Sequence, residues 1–173
     1  PLIHGEDGAK LSKRHGAVNI LDLKKDGYVK EAIINNLILL GWSNNNEKSE
    51  TIELEEIIKN FEISNLSKSS SIFSFSKLDF FNNFYLRKDK GLDEFVNFCE
   101  RDEEFNKFLQ KDNTKMINIF NVYKKDMKKL SDLNDFIKIY FDENYKINTS
   151  EKINLEFDSI FKEFLNLIRE IND

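Results

Sequence analysis

Gly5-Glu6-Asp7-Gly8-Ala9-Lys10-Leu11-Ser12-Lys13-Arg14-His15-Gly16-Ala17 is the stretch around which the rest of this sequence is organised. Its three glycines permit tight turns and close backbone approaches that side chains would block. Three cations, Lys10, Lys13 and Arg14, lie around the hydroxyl of Ser12. A cationic, donor-rich loop suits a polyphosphate whose charge changes during a reaction. The alternative is an ordinary solvated basic turn.

The loop does not have the spacing of a P-loop. A P-loop requires a glycine directly before its lysine and a serine or threonine directly after it. Here Ala9 precedes Lys10 and Leu11 follows it. That phosphate-binding motif is therefore excluded.

The order Lys10-Leu11-Ser12-Lys13-Arg14 resembles the KMSKS signature loop of class I aminoacyl-tRNA synthetases. With the Gly-Glu-Asp-Gly before it and His15-Gly16-Ala17-Val18 after it, the loop resembles the version in bacterial glutamyl-tRNA synthetases. Leucine replaces methionine and arginine replaces the last serine, and both changes are ordinary for that branch. The five-residue signature alone is weakly specific, whereas the thirteen-residue stretch is much more specific.

Later segments extend the resemblance in order and approximate spacing. They are Asp26-Gly27-Tyr28, Leu40-Gly41-Trp42-Ser43, Phe75 to Arg87 and, less specifically, Lys129-Leu130-Ser131-Asp132-Leu133 with Tyr140-Phe141. The resemblance implies a stem-contact domain followed by helices that bind the anticodon. The family usually carries proline near residues 69–71, where this sequence has serines.

Apolar spacing predicts a mainly helical fold. We expect a helix from Tyr28 to Leu40 closed by Gly41 as a C′ residue, and a helix opened by a capping-box-like Ser76. A long apolar stripe runs from Met116 to Leu130, and Ser131 is placed to cap the next helix. Ile153 to Ile171 gives a last amphipathic helix.

The predicted architecture is a helical stem-contact domain followed by an all-α anticodon-binding (helix-cage) domain. The polar stretch from Lys88 to Gly91 separates the two. We predict that residues 1–17 end a catalytic domain, that residues 18–88 form the stem-contact domain and that residues 89–173 form an incomplete anticodon-binding domain. The sequence begins without methionine, and we expect it to be truncated at both ends.

Composition limits the function classes. Charged residues make up 33% and hydrophobic residues 40% of 173, a globular balance. The net charge of −5 does not indicate a nucleic-acid binder, although local basic faces remain available. The single cysteine, Cys99, excludes an intrachain disulfide framework, and no His/Cys/Asp spacing predicts a metal site. No membrane-spanning run or signal peptide is visible, so we expect a cytoplasmic protein.

The resemblance implies a reaction in which glutamate and ATP, with Mg²⁺, form glutamyl-adenylate before transfer to tRNA(Glu). It assigns the catalytic contact with ATP to Lys13 and a supporting charge to Lys10. Ser12 would order the loop, and Arg14 would add a cation or simply face solvent. His15 is assigned a packing role, because a carboxylate needs no general base to attack phosphorus.

RNA contacts are predicted on the segment 111–129, which holds six lysines and two aspartates. Lysines off the apolar stripe are the candidates: Lys124, Lys125, Lys128 and Lys129. Their contacts with phosphates would make binding salt-dependent. The alternative is an ordinary solvated helix face.

The leading expectation is thus the tRNA-binding portion of a bacterial glutamyl-tRNA synthetase, monomeric and inactive without a catalytic domain preceding Pro1. One alternative is a glutaminyl-tRNA synthetase fragment, whose family has β-barrel anticodon domains. Another is a non-catalytic helical interaction module that binds RNA or protein. Whether tRNA(Gln) is also a substrate stays open.

Overall fold

The computed structural model describes residues 2–11, 19–42 and 50–142. Within these ranges the chain is mainly helical, which confirms the predicted fold class at that level. The helices are α1 (Ile20–Lys25), α2 (Lys30–Ile38), α3 (Leu54–Asn60), α4 (Phe75–Leu86), α5 (Gly91–Arg101), α6 (Glu103–Lys111), α7 (Asn113–Tyr123) and α8 (Asn134–Phe141). Short 3-10 turns occupy Ile63–Asn65 and Leu130–Leu133. No described helix is long and apolar enough to cross a membrane.

Two short strands hold the N-terminal segment against the helices. β1 (Ile3–His4) pairs in parallel with β2 (Ser71–Ile72). The chain then reverses through Gly8, whose φ of 76° lies in the left-handed region that favours glycine. His4 and Lys10 form an antiparallel bridge after this turn. The start of the signature loop is therefore fixed beside the beginning of α4.

The main core lies between α2, α4, α5, α7 and α8. It is rich in phenylalanine, because each of the helices α4 to α8 buries at least one: Phe81, Phe95, Phe98, Phe105, Phe120 and Phe141. Phe95 stacks on Phe120 with ring centroids 4.8 Å apart, and Phe81 is fully buried. Trp42, Ile52 and Ile57 form a smaller cluster beside α2 and α3. The main cluster contains residues from both sides of the predicted boundary at residue 88.

Several predicted helix ends are wrong. α2 spans Lys30–Ile38 and ends in a right-handed turn at Leu39, and Gly41 does not have the positive φ expected of a C′ residue. α4 is capped by Ser74, whose hydroxyl accepts a hydrogen bond from the Lys77 amide, so Ser76 is not the cap. Propensity alone places such ends poorly, because neighbouring serines offer equivalent capping oxygens.

The predicted stripe from Met116 to Leu130 is not one helix. α7 ends at Tyr123, and Met127 and Leu130 reach the core from a turn. Ser131 lies within the 3-10 turn and does not cap α8, whose N-cap is Leu133. The predicted helix over residues 153–171 lies outside the described residues.

Two asparagines of α4 account for that turn. The buried Asn82 accepts a hydrogen bond from the Val29 amide at 2.8 Å and donates to the Lys128 carbonyl at 2.7 Å. The Asn83 Nδ2 lies 2.7 Å from the Met127 carbonyl oxygen. These amides pair with backbone groups that are buried at Val29 and partly buried in the turn, so the chain can leave the helix there without leaving these groups unpaired.

Replacing Asn82 with alanine is expected to lower the free energy of unfolding by about 2–4 kcal/mol, because buried backbone groups on two segments lose their partner. Urea denaturation of the 173-residue chain measures this. Asn97→Ala, at an exposed position of α5, is the matched control and should change stability by less than about 0.5 kcal/mol. Equal effects of the two substitutions would contradict the role of Asn82.

Candidate functional site

The structure describes the loop's anchors and leaves its centre outside the described residues. Lys10 is exposed just after the turn at Gly8, while Ser12, Lys13, Arg14 and His15 lie outside the described ranges. Leu11 packs against the main core, and its amide donates to the Ile3 carbonyl at 2.9 Å. The assigned roles of these residues toward ATP therefore stay predictions.

The upstream anchor is tied to the start of α4. Ser74, the N-cap of α4, donates a hydrogen bond from its hydroxyl to Glu6 at 2.6 Å. Asp7 accepts a hydrogen bond from the Ala9 amide at 3.0 Å, which braces the turn internally. The residues that precede the centre of the loop are therefore held by hydrogen bonds, both to α4 and within their own turn.

The downstream anchor is α1. Asn19 caps this helix by accepting a hydrogen bond from the Leu21 amide at 3.0 Å. Leu23 is buried in the main core and its carbonyl accepts from the Tyr28 amide at 3.0 Å. Both ends of the loop thus rest on the same core.

Directly after α1, Asp26 and Gly27 contact Leu130 and Ser131, which follow the segment that contains the candidate lysines. Gly27 has a φ of 87°, and a Cβ there would lie 2.5 Å from the Leu130 Cβ, so only glycine fits without a shift. The amides of Leu130 and Ser131 donate to the carbonyls of Gly27 and Asp26, each at 3.3 Å. Sequence reasoning noted Asp26-Gly27 as a family motif and missed this contact.

The four candidate RNA-binding lysines lie within residues 124–129, between α7 and the 3-10 turn, which we name the lysine turn. Lys124 Nζ is 3.0 Å from Asn121 Oδ1. Lys129 Nζ is 2.9 Å from an Asp26 carboxylate oxygen, and Lys128 Nζ is 3.7 Å from one of Asp79. Lys125 is exposed. Solvent-exposed ion pairs contribute little free energy, so these contacts leave the lysines available to phosphates. Their role in RNA binding stays a prediction.

A buried hydroxyl supports Asp79. Tyr28 donates a hydrogen bond to its carboxylate at 2.6 Å. Burial of the ring, together with that hydrogen bond and the negative charge of Asp79, raises the pKa of Tyr28 above its ordinary value. The phenol therefore remains a donor throughout the physiological pH range, and it holds Asp79 between α2 and the lysine turn.

A second buried tyrosine fixes the segment that precedes α3. Tyr85 Oη lies 2.8 Å from the Ile52 carbonyl oxygen and 2.9 Å from Asn35 Oδ1. Asn35 in turn donates to the Glu50 carbonyl at 2.7 Å. Burial raises the pKa of Tyr85 to about 12. This network positions residues 50–53 and has no exposed reactive group.

Two cavities flank the start of α2, and both contact Val29 and Glu94. The acidic cavity, as we name it, has a volume of about 370 Å³ and contains Glu31, Glu53, Glu55, Lys88, Asp89 and Lys90. The basic cavity has a volume of about 300 Å³ and contains Lys24, Lys30 and Arg101 over an apolar floor. Sequence analysis missed both, because their residues are widely separated along the chain.

Metal and thiol chemistry find no support within residues 2–11, 19–42 and 50–142. No group of three or more His, Cys, Asp or Glu side chains there could hold a metal ion. Cys99 is fully buried, and burial raises the pKa of its thiol to about 12. The thiol is therefore protonated at neutral pH and not placed to act as a nucleophile.

Comparison with known proteins now adds to this geometry. The family model described as "tRNA synthetases class I (E and Q), catalytic domain" matches residues 1–80. The glutamate–tRNA ligase of Elusimicrobium minutum is 37% identical over 146 residues, which cover 83% of this chain and 29% of that protein. That of Francisella tularensis subsp. novicida is 47% identical over 90 residues, covering 52% of this chain and 19% of that protein.

The fold is also similar to a solved structure. The crystal structure of a glutamate tRNA ligase from Elizabethkingia meningosepticum in complex with its amino acid superposes with a TM-score of 0.65 and 25% identity. The match covers 87% of this chain and 34% of that one. The chain is therefore similar in sequence and fold to part of glutamate–tRNA ligases, and it spans between 19% and 34% of the length of these relatives.

Cys99 should resist alkylation in the native chain, because its thiol is both buried and protonated. Iodoacetamide at pH 8 followed by mass spectrometry is expected to label it only after unfolding in urea. Ile58→Cys, at an exposed position of α3, provides the control and should be labelled at once. Rapid native labelling of Cys99 would contradict the buried placement.

Proposed function

We propose that this chain is the tRNA-binding portion of a glutamate–tRNA ligase. The observation that carries the proposal is the 37% identity to such a ligase over 146 residues. The thirteen-residue stretch from Gly5 to Ala17, which resembles the signature loop of that family, supports the same proposal. The ligase activates glutamate with ATP as glutamyl-adenylate and then transfers the glutamyl group to tRNA(Glu).

Chemistry explains why a cationic loop serves this reaction. A carboxylate oxygen of glutamate forms a bond to the α-phosphorus of ATP, and the bond to the bridging oxygen breaks as pyrophosphate leaves. Negative charge grows on the five-coordinate phosphorus and on the departing group. Lys13 is proposed to engage that charge, with Lys10 as a second cation. Such contacts lower the barrier when they are stronger in the transition state than in the ground state.

The other parts of the loop have supporting roles in the proposal. Ser12 orders the loop, and Arg14 adds positive charge near the phosphates. Magnesium accompanies ATP as part of the substrate and has no dedicated protein cage here. The anchors at Leu11 and Asn19 support this arrangement, because they fix the chain on both sides of the loop's cationic centre.

The domain assignment remains part of the proposal. Residues 1–17 complete a catalytic domain, residues 18–88 contact the tRNA stem and residues 89–173 begin an anticodon-binding domain. Among the described residues 91–142 the structure has helices and turns without a strand. That favours the glutamyl family over the glutaminyl one, whose anticodon domains are β-barrels. The ligase is proposed to be a cytoplasmic monomer.

The chain should bind a tRNA(Glu) transcript weakly and lose affinity as salt rises, because lysine–phosphate contacts release counterions. Fluorescence anisotropy between 50 and 200 mM KCl, roughly the range over which such contacts are felt, measures this. A non-catalytic protein-binding module would show no such salt dependence. ATP–pyrophosphate exchange by the chain alone is expected to be absent, and measurable turnover would contradict the assignment to the tRNA-binding portion.

In the complete ligase, Lys13→Ala is expected to reduce kcat for adenylate formation by about 10²–10³-fold, because the contact belongs to the transition state. The glutamate dissociation constant should change little. Stopped-flow pyrophosphate release and glutamate titration separate the two. Lys25→Ala, an exposed lysine of α1, is the charge-matched control. Unchanged activation in Lys13→Ala would show that the residue's assigned role is wrong.

A further inference from the structure

The two cavities beside α2 differ in the sign of their charge. The acidic cavity contains five carboxylates, those of Glu31, Glu53, Glu55, Asp89 and Glu94, against two lysines. One of those lysines, Lys88, is already ion-paired with Glu53. The basic cavity contains three cations and a single carboxylate, Glu94. A polyanion would therefore be repelled at one cavity and attracted at the other.

The cations of the basic cavity are available to a ligand. Within the described part of the chain, no ion pair involves Lys24 or Arg101, and both side chains are exposed. Lys30 has only its neighbour Glu31, at 3.6 Å, and its side chain is largely exposed.

The floor of the basic cavity is apolar. It combines aliphatic side chains of α1 and α2 with two rings from the core, namely Ile20, Ile33, Ile34, Leu37, Tyr28 and Phe98. Of these, Ile20 and Leu37 are 54% and 39% exposed, so a ligand could contact both. An apolar floor with a cationic rim matches a nucleotide, whose base is largely apolar on its faces and whose phosphates are anionic.

We propose that the basic cavity receives an unpaired nucleotide of the bound tRNA. The base lies against Leu37 and Ile33, and the flanking phosphates contact Lys24, Lys30 and Arg101. Val29 and Glu94 separate this cavity from the acidic one. The carboxylates of the acidic cavity repel the RNA backbone, which therefore passes over the basic cavity beside α1. This inference rests on the proposed function, because it specifies where tRNA contacts the chain.

The test measures anisotropy of a labelled tRNA(Glu) transcript with the 173-residue chain over a range of KCl concentrations. Lys24→Ala and Arg101→Ala are each expected to weaken binding several-fold at 100 mM KCl and to reduce the slope of log K against log salt by about 0.7–0.9. Lys90→Ala, which removes the same charge from the acidic cavity, is the matched control and should leave the slope unchanged.

A second pair of variants tests the apolar floor. Leu37→Trp fills the cavity and should weaken tRNA binding at least three-fold without changing the salt slope, because no phosphate contact is lost. Leu21→Trp, at an exposed position of α1 outside the cavity, is its control. A fully paired, blunt-ended RNA duplex should bind the wild-type and Leu37→Trp chains equally, because it offers no unpaired base.

The outcomes separate the two proposals. If the wild-type chain shows no salt-dependent tRNA binding, the proposed function fails. If it binds but Lys24→Ala and Arg101→Ala behave like Lys90→Ala, only the basic-cavity inference is overturned. If those two weaken binding while Leu37→Trp matches Leu21→Trp, the phosphates pass the rim without base insertion and the inference as stated is overturned.

Discussion

The carboxamide of Asn82 is the constraint on which the arrangement of this chain depends. It joins α4 to the Val29 amide at the start of α2 and to the Lys128 carbonyl in the lysine turn, segments far apart in the sequence. The bond to the Val29 amide is buried, and the bond to the Lys128 carbonyl is partly buried. In a low-dielectric interior the loss of such a partner costs more than the hydrogen bond contributes, because the orphaned group keeps its desolvation penalty. Asn82 therefore contributes to the stability of the fold and also fixes the positions of α2 and the lysine turn relative to α4.

One consequence is that the proposed ATP loop and the lysine turn share a support. α1 follows the loop and ends in the Asp26-Gly27 turn, which contacts Leu130 and Ser131 through two backbone hydrogen bonds. The approach is close enough that a Cβ on Gly27 would clash with Leu130. A side chain at residue 27 would separate the turn from α1 and disturb the Asn82 contacts nearby. The glycine of this sequence motif is thus explained by packing across the junction.

Periodicity predicted the helices well and their ends poorly, for physical reasons that particular residues show. The apolar stripes of α4, α5 and α7 follow helical spacing, and Phe81, Phe95 and Phe120 on them are buried as expected. Met127 and Leu130 continue the spacing of α7, yet they reach the core from a turn, because Asn83 accommodates the carbonyls that leave the helix. The sequence does not distinguish a buried asparagine from an exposed one, so the roles of Asn82 and Asn83 could not be predicted. The loop was recognised by its motif, whereas Lys24 and Arg101 come together only through folding.

The net charge of −5 is compatible with RNA binding once the charges are placed. Exposed charges are screened beyond about 8–10 Å at physiological salt, so a phosphate responds to the side chains near it and not to the sum over the chain. The carboxylates around the acidic cavity contribute much of the local negative charge, and they lie beside a cavity where cations dominate. Because the two cavities are adjacent and opposite in charge, a polyanion would favour one over the other. A uniformly basic surface would not provide this preference. Negative charge in one cavity can therefore add to the specificity of the RNA docking that we propose at the other.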